Sequence, residues 1–273
     1  MTYTKVLVLG SGYTGTAVAR RARARDLPVV ATLRSDAARQ SLEAEGIEVL
    51  VGPELDTRIV PHVDRGTRVV VSFPPDGRTD ARVAPLLKAA HSIAYVSSTG
   101  VYGERRGLID DSTPVPRPPS ERARRLLDAE DVYRSVGATV LRCPGIYGPE
   151  RGLHRRILRG EHRIPGDGAR TLSRIHVVDL AELLLAAAAT RGETFVVGDL
   201  EPAPHIDVVR FVCETYGVAL PPSVPLGDVH DSLRADRRID ATRALARLGV
   251  KLRFPDYRAG MSREATGIGG ASR

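Results

Sequence analysis

The chain has no tryptophan, four phenylalanines and two methionines in 273 residues. A core built on large aromatics is therefore excluded. The interior has to be filled by Val, Leu, Ile and Ala, the usual filling of a parallel sheet covered on both faces. Lysine is scarce too. It occurs only at Lys5, Lys88 and Lys251, so arginine supplies 37 of the 40 basic residues. No lysine-rich run and no basic stretch interleaved with aromatics accompanies the net charge of +7, so nucleic acid is not an expected partner. The charge describes an arginine-biased composition or a surface that attracts small anions. The two cysteines, Cys143 and Cys213, lack metal-ligand spacing, so no metal is expected, and they suit a reducing compartment. Long apolar runs are missing as well. Glycines interrupt the N-terminal one after five residues, unlike a signal peptide, and Leu180–Ala189 is too short to span a bilayer. A cytoplasmic protein without a membrane partner is expected, with a homodimer left open.

What is present begins at once. Lys5-Val6-Leu7-Val8-Leu9 reads as a buried strand, and Thr16-Ala17-Val18-Ala19-Arg20-Arg21-Ala22 as a helix. Gly10-Ser11-Gly12-Tyr13-Thr14-Gly15 lies between them. In this setting the first glycine permits a tight turn, the second lets main chain approach a pyrophosphate, and the third lets the helix pack close to the strand. The helix N-terminus then offers free N–H groups and a positive dipole end. Residues 10–15 are thus the expected cradle of a dinucleotide.

Strand-like runs recur at Val6–Leu9, Val29–Leu33, Val49–Val51, Val69–Phe73, Ile93–Ser97 and Ala138–Leu141. Helical patterns fall between them at Thr14–Arg25, Asp36–Ala44, Asp80–Ala90 and Ser120–Ser135. This alternation predicts an α/β fold with a doubly wound parallel sheet of Rossmann type. Ile175–Ala189 reads as a returning helix, Thr194–Val197 as a further strand, and Ile206–Tyr216 and Ala241–Leu248 as later helices. The expected organisation is a nucleotide-binding domain over 1–149 completed by 171–199. A small substrate lobe would comprise 150–170, read as mobile or substrate-facing, and 200–258. A frayed tail would cover 259–273.

The end of the second strand selects between nicotinamide cofactors. An acid there binds a ribose 2′-hydroxyl, whereas an arginine accommodates a 2′-phosphate. Here the strand ends in Arg34-Ser35, and Asp36 occupies a helix-capping place. NADP is the expected cofactor, with NAD possible should Arg34 be merely exposed.

Three further segments carry a resemblance. Tyr95-Val96-Ser97-Ser98-Thr99-Gly100-Val101-Tyr102-Gly103, Leu141-Arg142-Cys143-Pro144-Gly145-Ile146-Tyr147-Gly148-Pro149 and Arg174-Ile175-His176-Val177-Val178-Asp179-Leu180-Ala181 stand in this order. Over residues 4 to about 200 the chain resembles the extended short-chain dehydrogenases/reductases of the NAD-dependent epimerase/dehydratase group. The resemblance implies that Ser98 hydrogen-bonds a substrate oxygen. It also implies that Phe73, Pro74, Pro75, Ser97, Pro144, Gly145 and Ile146 line the cofactor, and that His176 and Asp179 brace the two lobes. The group's Tyr-x-x-x-Lys pair is absent. Counting back from Ala129-Glu130 puts Arg122 at the tyrosine place and Leu126 at the lysine place, and the residues four before the three lysines are Met1, Ala84 and Arg247. The departure resembles the atypical branch of the group. Tyr102 and Tyr147 are the candidate replacement acids, and Cys143 is expected to be a core thiol. The basic stretch Arg151–Arg174 either faces an anionic substrate or is a solvated face. Three functions remain open: an oxidoreductase or epimerase/dehydratase acting on an anionic or nucleotide-linked small molecule, a non-catalytic NADP(H)-binding regulator, and a reductase of an activated C=N or C=C bond.

Overall fold

The computed structural model describes residues 3–53, 55, 57–229 and 233–268. In chain order its elements begin with β1 (Lys5–Leu9), α1 (Tyr13–Arg23), β2 (Val29–Leu33), α2 (Arg39–Ala44), β3 (Glu48–Val51), β4 (Thr67–Val71), α3 (Arg78–Val83), β5 (Ser92–Ser98) and β6 (Gly107–Ile109). Then follow α4 (Glu121–Arg134), β7 (Thr139–Cys143), β8 (Gly145–Tyr147), α5 (Leu153–Leu158), β9 (Ile164–Pro165), β10 (Thr171–Leu172), β11 (Arg174–His176) and α6 (Val177–Ala186). The chain continues through β12 (Thr194–Val196), β13 (Ala203–Pro204), α7 (His205–Tyr216), β14 (Ser223–Val224), β15 (Arg237–Ile239), α8 (Thr242–Leu248), α9 (Tyr257–Met261) and α10 (Arg263–Thr266).

Seven strands form one sheet in the order β3-β2-β1-β4-β5-β7-β12, and every neighbouring pair is parallel. The expected α/β class is the observed one. The order reverses between β1 and β4, which opens a crevice at their carboxyl ends. Successive residues of β1 face opposite ways. Val6 and Val8 pack with Val18 and Ala19 of α1 and Leu180 and Leu184 of α6. Leu7 and Leu9 pack with Val83 of α3 and Ala129 and Tyr133 of α4. Each such aliphatic side chain contributes about 1.5–3 kcal/mol when fully buried, which is how the fold manages without tryptophan.

Several expected boundaries move. The Val69–Phe73 strand ends at Val71, because Ser72 turns to donate through Oγ to the Gly10 carbonyl at 2.7 Å. The Asp80–Ala90 helix begins at Arg78 and tightens to a 3-10 turn from Ala84, where Pro85 lacks an N–H to continue the α ladder. Asp36–Ala38 is likewise 3-10, so only Arg39–Ala44 is α-helical. The Ile175–Ala189 helix starts at Val177. Ile175 and His176 are strand residues paired with Ile146 and Tyr147, and His176 Nδ1 accepts from Val178 N at 3.3 Å as the helix cap.

The expected lobe also loses part of its chain to the sheet domain. Ala244 of α8 joins the apolar cluster of β1 and α6, and Ile239 and Ala241 join Val101 and Val196. Segment 150–170 contributes to a packed cluster: Ile157 and Ile164 pack with Val208 and Val212 of α7. The start of the expected tail is packed as well. Met261 is 1% exposed and its carbonyl accepts from the Tyr216 hydroxyl at 3.0 Å. Residues 269–273 of that tail lie outside the described residues.

One buried charge joins sheet to helix. Glu130 of α4 is 0% exposed. It accepts from Ser97 Oγ of β5 at 2.6 Å, from Arg142 of β7 through Nε at 3.0 Å and Nη2 at 2.8 Å, and from Arg134 Nη1 at 3.1 Å. Breaking one partner of a buried pair strands the other charge at a cost of roughly 3–5 kcal/mol. Arg142→Met is therefore expected to lower the midpoint of urea denaturation, with a loss of unfolding free energy of roughly 3–5 kcal/mol, and Arg142→Met with Glu130→Gln to recover part of it. An unchanged midpoint in the single variant would refute the network's role.

Candidate functional site

Three glycines of the β1–α1 turn are there for three different reasons. Gly10 has φ +87°, and a Cβ on it would sit 2.8 Å from Phe73 Cβ and 2.9 Å from Phe73 N. A Cβ on Gly15 would overlap the Gly10 carbonyl and come within 2.8 Å of Ser72 Oγ. Gly12 differs: it is exposed, and a Cβ on it would meet nothing within 4 Å. The turn is pinned from beneath, since Gly10 N donates to Thr32 Oγ1 at 2.8 Å and Ser11 N to the Thr32 carbonyl at 2.9 Å. The first α-helical bond of α1 runs from Thr16 N to the Gly12 carbonyl at 2.9 Å. The N–H groups before Thr16 have no partner within the helix. No acid stands in the first turn, so the positive helix end is not neutralised from within.

Not every side chain of residues 10–15 points to this opening. Ser11 is buried and its hydroxyl has no hydrogen-bond partner. Thr14 is buried. Tyr13 turns toward the Gly148–Arg151 bridge, where Arg151 lies 5.5 Å over its ring. Burial, tempered by Arg151, pushes its phenol up to about 12.

At the carboxyl end of β2, Arg34 and Ser35 are both exposed, and Asp36 begins the next turn with an ion pair to Arg39 at 3.5 Å. Arg34 also acts on Asp76 of the turn after β4. Burial would raise that carboxyl, but hydrogen bonds from Thr79 together with the Arg34 charge hold it below the usual range. The Phe73-Pro74-Pro75 turn is fixed by Asp80, a buried carboxylate that accepts from Asp76 N at 3.1 Å and Gly77 N at 3.0 Å. Phe73 itself is buried against the glycine turn, whereas Pro74 is exposed and Pro75 half-buried.

Ser98 closes β5 and is half-buried. Its Oγ accepts from Gly100 N at 3.0 Å, which leaves the hydroxyl hydrogen available to donate. Ser97 alternates to the other face and is consumed by Glu130. After β7, Pro144 and Ile146 are half-buried and Gly145, the first residue of β8, is exposed, with Ser173 across from it.

The two tyrosines considered as acids lie elsewhere. Tyr102 is 0% exposed and accepts from Arg142 Nη1 at 3.1 Å. Tyr147 packs with Ile157 and Tyr257, and its hydroxyl donates to the Asp256 carbonyl at 3.3 Å. Burial pushes both phenols up. Both are packing groups: Tyr102 sits in the 3-10 turn after β5 with Arg142 over its ring, and Tyr147 is buried in the cluster of α5 and α7. Cys143 is buried and its thiol is pushed up by desolvation.

His176 and Asp179 tie α6 to the chain that follows α8. Asp179 accepts from Arg253 N at 2.7 Å and Phe254 N at 2.9 Å, and the His176 ring lies 3.8 Å from that of Phe254. The basic stretch does not gather on one cleft. His154, His162 and Arg174 are buried, Arg159 pairs with Glu161 at 2.9 Å, and Arg155 donates to the Pro149 carbonyl at 2.5 Å.

Arg237, to which the sequence reading gave no role, is held against the Ser98 loop. It donates through Nη1 to the Thr99 carbonyl at 2.7 Å, through Nε to the Arg105 carbonyl at 3.1 Å, and through Nη2 to the Gly103 carbonyl. It sits in a short Arg-Arg-Ile strand with no motif around it, so nothing local could have flagged it. Leu126, at the expected lysine place, lies 3.2 Å from where a Cβ on Gly100 would be.

This architecture is that of the extended short-chain dehydrogenases/reductases, NAD-dependent epimerase/dehydratase proteins among them, here without the Tyr-x-x-x-Lys pair. The chain is similar to a conserved protein of unknown function from Silicibacter pomeroyi, with 29% identity, TM-score 0.82, 97% of this chain and 98% of that chain covered. It is similar to a Methylobacillus flagellatus protein assigned as an NAD-dependent epimerase/dehydratase, with 25% identity, TM-score 0.73 and coverage of 95% and 96%. It shares its fold with human epimerase family protein SDR39U1, solved with NADPH, at 16% identity, TM-score 0.73 and coverage of 96% and 99%. The sequence matches no protein-family profile and no curated protein. Among the described residues no helix is long and apolar enough to cross a membrane.

Four histidines near this region are buried in neutral form. Desolvation lowers His154 and His176 to about 4, and His162 and His205, whose Nε2 atoms lie 2.9 Å apart, are lowered as well. A folded pKa below the unfolded value near 6.5 gives stability that is present above that pH and lost below it. The cost is roughly 1.4 kcal/mol per histidine for each pH unit. Asp199, pushed up to about 8 by burial, acts in the opposite sense and offsets about one histidine. The urea midpoint is expected to fall between pH 7 and pH 5.5; a flat profile would show that these imidazoles titrate normally.

Proposed function

We propose that the protein is a cytoplasmic NADP(H)-dependent oxidoreductase acting on a small anionic molecule. One observation carries the cofactor reading: Gly12 is open to solvent between two tightly packed glycines, at a helix end that no acid neutralises. Residues 10–15 would hold the diphosphate by main-chain N–H groups. Arg34 and Ser35 would take the 2′-phosphate through charge-assisted hydrogen bonds. The Phe73–Pro75 turn and Pro144–Ile146 would line the nicotinamide side. A bound nicotinamide supplies or accepts the hydride.

The chain's own contribution is narrower than in relatives with a tyrosine acid. Ser98 has one hydrogen to donate and would orient and polarise a substrate oxygen or nitrogen. Arg122 and Leu126 cannot exchange a proton at neutral pH. This favours an acceptor that is already polarised, such as a C=N or conjugated C=C bond, over an unactivated ketone.

The cofactor reading is tested by fluorescence titration with NADPH and NADH. Gly12→Ala is expected to leave thermal stability unchanged and weaken both nucleotides at least about tenfold by steric exclusion. Arg34→Ala should weaken NADPH alone, by about 10–100-fold for the loss of a charged hydrogen bond. Wild-type protein that binds neither nucleotide would end the reading.

The missing Tyr and Lys favour one other reading, a regulatory protein that binds NADP(H) without turnover. NADPH oxidation against panels of imines, activated alkenes, ketones and sugar nucleotides separates the two. The enzyme reading expects turnover on an activated acceptor that falls about 100-fold or more in Ser98→Ala with NADPH affinity retained. Tight NADPH binding with no turnover on any panel would assign the regulatory role.

A further inference from the structure

Several exposed arginines of this chain have a carboxylate partner. Arg20 pairs with Glu45, Arg39 with Glu43, Arg125 with Glu121, and Arg243 with Asp111 and Glu193. Two arginines beside Ser98 do not. The guanidinium of Arg237 is anchored by carbonyls of Thr99, Gly103 and Arg105. Carbonyls fix its position without cancelling its charge, and three of its five N–H groups are used in this way. Arg122 stands one turn before Leu126 on the same face of α4, the face that meets Gly100. The two guanidiniums feel each other: burial and the Arg122 charge both lower Arg237.

The acids next to them in sequence are engaged elsewhere. Glu121 pairs with Arg125, and Asp236 accepts from Thr171 N at 3.0 Å. Among the described residues neither Arg122 nor Arg237 forms an ion pair. Two like charges set against one loop, one of them half-buried, offer a place for an anion that is not part of the chain.

We propose that Arg122 and Arg237 form an oxyanion-binding pair beside Ser98, so that the substrate carries its carboxylate or phosphate next to the carbon that reacts. The second clause rests on the oxidoreductase reading; the first does not. The pair suits a substrate with an anionic group on the reacting portion itself, not one charged solely on a remote diphosphate. An arginine at the tyrosine place thus exchanges a proton donor for a fixed charge.

The test is calorimetric titration of the full chain with oxalate and, separately, with inorganic phosphate, each with and without saturating NADPH. Wild-type protein is expected to bind one of these anions, more weakly as salt rises. R122Q, an exposed helix position, is expected to raise that Kd about tenfold while leaving thermal stability and NADPH affinity unchanged. R237K, which keeps the charge if the loop contacts survive, should lie between wild type and R237Q. Preference for oxalate assigns the planar carboxylate as the natural group; preference for phosphate assigns the phosphate monoester. Anion affinity that is identical in wild type, R122Q and R237Q overturns the proposal, as does absence of anion binding with and without NADPH. Oxalate binding lost in R122Q in a protein that fails to bind NADPH would leave the pair standing and remove the cofactor reading instead.

Discussion

A single carboxylate with no exposed surface, Glu130, holds the Ser98 side of the molecule together. It receives Ser97 from β5, Arg142 from β7 and Arg134 from its own helix. Arg142 passes the connection on to Tyr102 in the Ser98 loop. A buried carboxylate tolerates only a fully satisfied environment, so this cluster fixes the rotation of α4 about its own axis. That rotation decides what α4 presents to the loop: Leu126 against Gly100, and Arg122 one turn beyond. An apolar cluster of the same size would bury the helix equally well but would let it slide, because dispersion is not directional.

The cofactor side is held by different physics. There the contact is main chain against main chain: Gly10 against Phe73, and Gly15 against the Gly10 carbonyl. Such contacts leave no room for side chains, so the turn keeps its shape by exclusion rather than by bonding. Two bonds to Thr32 and one from Ser72 supply the remaining direction. Glycine buys close approach at the cost of backbone entropy, and at Gly12 alone the space so created faces outward.

These two mechanisms were unequally legible in the sequence. Steric constraints on glycine are local, so strand, turn and helix could be read from fifteen residues, and the parallel sheet followed from the alternation of apolar runs. Ion pairing is not local. Glu130 is an ordinary acid at the end of an ordinary amphipathic helix until Arg142, in a strand of otherwise apolar type, is brought beside it. For the same reason Ser97 looked like a cofactor ligand and proved to be a structural donor, while Arg237 carried no signal at all. Tyr102 and Tyr147 were plausible acids by position. What buries them is distant chain, Arg142 and Glu130 for Tyr102 and the α5–α7 cluster for Tyr147, which no local pattern shows. α8 is short and charged along one side, so its apolar Ala244 shows its destination only when packed against α6.

The replacement of a tyrosine–lysine pair by Arg122 and Leu126 is coherent when both positions are taken together with Arg237. A lysine at the Leu126 position would have added a third cation to a wall that already holds two without a counterion. Leucine instead packs on Gly100 and adds no charge there. Arginine cannot act as an acid at physiological pH, but it can hold an anion in a fixed plane. A substrate held by its own charge needs less positioning by a phenol, and one whose reacting bond is already polarised needs less proton transfer in the transition state. On the proposed reading, the site would rely on charge recognition more than on proton chemistry. Ser98 is the residue the two designs share, because a neutral hydroxyl donor serves a developing negative charge in either case.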